Sequence, residues 1–158
     1  MDYFLNDSEI KALIEEEKYI AGSLNDLFKM KVKKGHKESE YIINRVDKSL
    51  FKIIIRLSNE NIMDFSAILG FTPANKNLLF LLRRYNGKSH EHSNKIEKEA
   101  PFYDFHIHYA TERYQKEGYK EEYYAKPTNR YSDIHGAINC LIEDCKVISN
   151  ENQIEFNL

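Results

Sequence analysis

The chain has 158 residues, a formal charge of -2 from 23 basic and 25 acidic side chains, and 42% hydrophobic content. That length and apolar fraction suit one domain, 1–158, with a sizeable core and no metal or disulfide staple. The charge balance excludes the overall basic excess of a dedicated nucleic-acid-binding domain, and the absence of a cationic leader or a long apolar run gives a cytoplasmic chain with no membrane contact as the expectation.

Asn6, Asp7 and Ser8 offer helix caps, and Ile10, Leu13, Ile14, Ala21 and Leu24 recur at helical spacing, which predicts a helix over about 8–21. From Phe28 the pattern alternates: Phe28, Met30 and Val32 against Lys29, Lys31 and Lys33, the period of a half-buried strand. The lysines up to Lys37 are a local basic face that RNA could use, and alternating Lys is also how an edge strand avoids aggregation. A second short strand is expected at Tyr41–Val46.

The strongest β signal follows. Phe51, Ile53, Ile55 and Leu57 alternate with Lys52, Ile54 and Arg56, and Met63, Phe65, Ala67 and Leu69 come after a polar turn, as in an antiparallel meander. Leu78 to Leu82 is apolar on both faces, which suits a central strand, and Asn86-Gly87 supplies a turn. Residues 88–101 are polar, alternation resumes from Phe102 to Ala110, and a second polar stretch runs from Thr111 to Arg130. The final helix, 133–146, is capped by Ser132 or Asp133 and carries Ile134, Ala137, Ile138, Leu141, Ile142 and Cys145 on one stripe, with Cys140 off it. The fold class is α+β: an antiparallel sheet of five or six strands with the N-terminal and C-terminal helices packed on one face.

Three constellations carry chemistry. On the strand around Phe105-His106-Ile107-His108, alternation puts His106 and His108 on one face, where a His-x-His pair can chelate zinc if His90 and His92 from the preceding loop complete the set. No other cofactor is indicated, and neither pair has the His-x-Ser/Thr form of two-histidine phosphoesterases. The same sheet face could bring Lys52, Arg56 and Arg83 or Arg84 beside the histidines, giving a metal-independent endoribonuclease of toxin type in which Arg56 holds the phosphate and His106 and His108 move protons. Third, the chain has 11 tyrosines, and Tyr114, Tyr119, Tyr123 and Tyr124 supply amphipathic contact area of the kind favoured at protein interfaces. Packing of a loop over the sheet would use the same rings.

The Phe105-His106-Ile107-His108 strand, the Thr111-Glu112-Arg113-Tyr114 loop and the Leu141-Ile142-Glu143-Asp144-Cys145 helix end resemble small uncharacterised bacterial and mobile-element proteins, in which a His-x-His strand precedes a polar loop and a terminal helix. This resemblance implies an order of elements and no activity. In length and in its Lys-, Asn- and Ile-rich composition the chain is also similar in type to phage-encoded inhibitors of host defence, including anti-CRISPR proteins. The reading that follows is a non-enzymatic interaction protein whose tyrosine loops, with Lys52 and Arg56, bind and occlude a larger host enzyme. The endoribonuclease, with a metal-binding variant, is the alternative.

Overall fold

The computed structural model describes residues 3–149. The expected span 1–158 therefore includes residues 1, 2 and 150–158, which lie outside the described ones. Helix α1, Asp7–Glu15, starts where the Asn6 side chain accepts from the Glu9 amide and the Glu9 carboxylate accepts from the Asn6 amide, a reciprocal capping box. It ends six residues earlier than its periodicity suggests. The chain turns extended at Glu16 and forms strand β1, Lys18–Ile20. The Lys18 ammonium is what stops the helix: Nζ donates to the carbonyls of Leu13, Ile14 and Glu16 at 2.8–3.0 Å, satisfying acceptors that another helical turn would have used.

The strand expected from Phe28 begins later, because Leu24–Phe28 wind into a 3₁₀ turn capped by the Ser23 hydroxyl. The sheet then runs β2 (Lys31–Val32), β3 (His36–Asn44), β4 (Leu50–Ser58), β5 (Phe65–Thr72), β6 (Phe80–Asn86), β7 (His106–Tyr109) and β8 (Ala125–Pro127). All seven strands are antiparallel and lie in chain order, so the sheet is an unbroken meander. Five or six strands are expected from the sequence; the seventh is β8, an edge strand of three residues, too short to display a period of two. Between Thr111 and Arg130, where sequence suggests only a polar loop, lie the short helix α2 (Glu112–Lys116) and β8. Helix α3, Ile134–Asp144, is capped by the Asp133 side chain and leads into β9, Val147–Ser149, which pairs in parallel with β1.

Register sorts the sheet into two faces. One face carries the row Tyr41, Ile53, Leu69, Arg83, Tyr109 and the row Ser39, Ile55, Ala67, Tyr85, Ile107. Helix α3 packs on it against β5 and β6, with Ile138, Leu141 and Cys145 fully buried, as the stripe predicts. Cys140 is buried too, with Arg130 and Tyr131 beside it, and both thiols are free. A β-bulge where Leu69 and Gly70 meet β6 shifts the phase, so Phe80 and Tyr85 share the helical face although five residues apart. That shift is why Leu78–Leu82 reads as apolar on both sides. Among the described residues no helix is long and apolar enough to cross a membrane.

Candidate functional site

The second face is the one the chemistry occupies. Its rows are Glu38, Arg56, Ser66, Asn86, His106, and Glu40, Ile54, Ile68, Arg84, His108, Ala125. Over β6–β8 this face is covered by the segment after Gly87 and by the segment before β8, leaving His106 and His108 0% and 3% exposed. The first segment is fixed by the Asn94 side chain, which accepts from the Ala125 amide at 2.9 Å and donates to the Ala125 carbonyl at 2.8 Å, closing the outer edge of β8. A further bridge joins His92 and Phe102 within that segment.

All four histidines named from sequence converge there. His106 and His108 have ring centres 4.9 Å apart, His92 lies 5.6 Å and 5.0 Å from them, and His90 lies 5.7 Å from His106. Exposure grades through the cluster, from His90 at the surface through the half-buried His92 to the buried pair. Nδ1 of His106 is 2.8 Å from the Asp104 carbonyl and Nδ1 of His108 is 2.8 Å from the Glu122 carbonyl. A carbonyl only accepts, so each Nδ1 is protonated and each Nε2 presents a lone pair. Burial pushes the pKa of His106 down to about 4 and that of His108 down to about 2, the Arg84 guanidinium adding to the latter, so both rings are neutral at pH 7.

Arg84 and Glu122 complete the cluster and were not singled out together by sequence. Their side chains pair at 3.0 Å, Glu122 is 1% exposed, and burial raises its pKa. Glu122 sits in a polar stretch without periodicity, so nothing in the sequence marks it as an inward residue. Arg83, the other arginine considered, is on the helical face, stacked 4.6 Å over Tyr109 and 4.0 Å from Asp144, and takes no part.

Arg56 and Lys52 share the face with the histidines but not their neighbourhood. β5 and β6 intervene between β4 and β7, which puts three strand spacings, about 14 Å, between Arg56 and His106. Arg56 is 3.4 Å from Glu38 and Lys52 is 3.0 Å from Glu40, so each cation already has a carboxylate across β3. The tyrosines divide. Tyr114 is wholly buried, its hydroxyl donating to Glu97 at 2.6 Å, and it cannot meet a partner without unpacking α2. Tyr119 is 41% exposed, Tyr123 and Tyr124 are half-buried, and their ring centres lie 5.5–6.1 Å from that of Tyr114.

Among the described residues no three His, Cys, Asp or Glu side chains already stand where they could hold a metal ion. Compared with known proteins, the chain matches no family model, no curated protein and no solved structure.

Proposed function

We propose that the protein is an interaction protein that docks on a protein partner through the tyrosine corner between α2 and β8. The observation that carries this reading is the preassembly of that corner. Tyr119, Tyr123 and Tyr124 are held by the buried Tyr114, and the Arg113 guanidinium lies 4.5 Å over the Tyr124 ring. Rings already fixed in place lose little freedom on binding, and Tyr and Arg are the residues that anchor interfaces. Occlusion of a larger host enzyme, as by the phage inhibitors the chain resembles in type, is the form this proposal takes.

The endoribonuclease reading is less well supported, since it needs a free cation beside a reachable histidine. Here Arg56 is paired with Glu38, lies about three strand spacings from His106, and the buried histidines are covered. The test is reconstitution with a purified partner captured from the native host. Of Tyr119→Ala, Tyr124→Ala and Arg113→Ala, at least one is expected to weaken affinity about 30-fold, the equivalent of a hot spot of about 2 kcal/mol. Cleavage of single-stranded RNA by the purified protein, lost on His106→Ala with the fold intact, would overturn the proposal.

A further inference from the structure

The buried polar atoms that lack a hydrogen-bond partner are not scattered. Of the five among the described residues, Nε2 of His106, Nε2 of His108, Nε of Arg84 and Oε1 of Glu122 all belong to the covered half of the second sheet face. A buried polar atom left without a partner is costly, so four in one place are a sign of a ligand. The two imidazole nitrogens are the informative ones. Each is a buried lone pair without a hydrogen-bond partner, on a ring whose other nitrogen is tied to a backbone carbonyl at 2.8 Å. That is the arrangement by which proteins set a histidine's tautomer and ring angle for a metal.

We propose that this cluster is a zinc site, with His106 and His108 as preset ligands and His92 and His90 as the ligands that close on the ion. Spacing supports it. Two imidazoles bound to one tetrahedral zinc at about 2.0–2.1 Å have ring centres about 5 Å apart. Among His92, His106 and His108 the ring centres are 4.9, 5.0 and 5.6 Å apart, so these three rings need to turn more than to travel, and His90, 5.7 Å from His106, has to swing in from the surface. His92 donates its Nε2–H to the Asn94 Oδ1 at 3.0 Å, which leaves its Nδ1 as the lone pair for the metal, and the exposed His90 meets the Ser89 hydroxyl through Nδ1, which leaves Nε2 for the ion. The paired charges of Arg84 and Glu122 cancel, which leaves a neutral imidazole set that suits zinc and other late divalent transition metals over magnesium or calcium. This inference is independent of the docking proposal, which uses the tyrosine corner and no histidine.

The full chain, freed of metal by dialysis against a chelator, is titrated with Zn²⁺ alone, and with Co²⁺ as a spectroscopic probe of tetrahedral nitrogen ligation. One ion per chain and a rise in melting temperature are expected. His106→Ala and His108→Ala should each weaken binding at least 100-fold. His90→Ala, at the surface, should weaken it about 10-fold while the metal-free protein keeps its circular dichroism and melting temperature, so this variant decides the matter if a buried change unfolds the chain. His36→Ala and His135→Ala, on β3 and α3, should leave binding unchanged. Absence of stoichiometric uptake, or uptake that His90→Ala and His106→Ala leave intact, would overturn the site.

Discussion

Nζ of Lys18 donates to the carbonyl of Cys145 at 2.8 Å, joining two residues 127 positions apart in the chain. With the carbonyls of Leu13, Ile14 and Glu16 this gives one ammonium four acceptors drawn from the ends of α1 and α3. Burial lowers its pKa to about 8, which keeps it charged at neutral pH. Lys18→Met should cost about 3 kcal/mol in urea unfolding, since it strips partners from several buried carbonyls at once. Lys18→Arg should not restore the loss, because a planar guanidinium cannot fill a cage shaped for a compact ammonium. An arginine variant as stable as the parent would refute this account.

Stability should fall on mild acidification. His106 and His108 titrate at about 4 and about 2 in the fold and near 6.5 in the unfolded chain, so between pH 6.5 and 4 the unfolded state binds more protons. Each ring then removes up to about 1.4 kcal/mol per pH unit, and the stability is fully present only above about pH 6.5. Unfolding free energies at pH 7.5, 6 and 5, compared with the His106→Gln, His108→Gln double variant, measure this. The variant should show a flatter slope; equal slopes would mean the histidines are not buried neutral.

Two glycines separate steric from conformational cost. A Cβ on Gly87 would sit 1.9 Å from the Met63 carbonyl oxygen, a backbone atom that cannot yield, so Gly87→Ala should cost about 3 kcal/mol. At Gly118 the space is open but φ is +84°, and Gly118→Ala should cost only about 1 kcal/mol. Thermal unfolding of the two variants gives the comparison, and the opposite ranking would contradict the close approach of Gly87 to the Met63 carbonyl just before β5.

Tyrosine changes should sort by exposure. Tyr131 places its hydroxyl 2.7 Å and 2.9 Å from the carbonyls of Asn86 and His106, so Tyr131→Phe should cost about 1–2 kcal/mol of stability. Tyr114→Phe, losing the bond to Glu97, should behave alike, whereas Tyr119→Ala should leave the melting temperature within about a degree or two. A large loss of stability in Tyr119→Ala would show that the corner is core and would remove it as a docking surface.

Much of the fold is legible in the sequence where a long element shows its period. Phe51, Ile53 and Ile55 gave β4 its inward face, and the stripe through Ile138 and Leu141 gave α3. What sequence misses is decided by distant partners. The inward turn of Lys18, a residue type almost never fully buried, is settled by carbonyls from two helices. A three-residue strand such as β8 has no period to read, and the alternation from Phe28 does not show that Leu24–Phe28 wind into a 3₁₀ turn and leave β2 only two residues. At the candidate site the convergence of four histidines could be posed from their segments, but Arg84 and Glu122 depend on strand order and on how a polar loop folds over the sheet. The separation of Arg56 from His106 likewise follows from two strands between them, which alternation alone does not order.

The meander has a kinetic corollary. Every ladder of the seven-stranded sheet joins strands consecutive in the chain, so each hairpin closes a modest loop and the sheet can zip in order. The parallel pairing of β1 with β9 is different: Lys18 meets Val147 only after the rest of the chain has been arranged between them. Residues at that junction should therefore carry low φ-values, with Lys18→Met speeding unfolding while leaving the folding rate nearly unchanged, and Ile53→Val in the centre of the sheet doing the reverse.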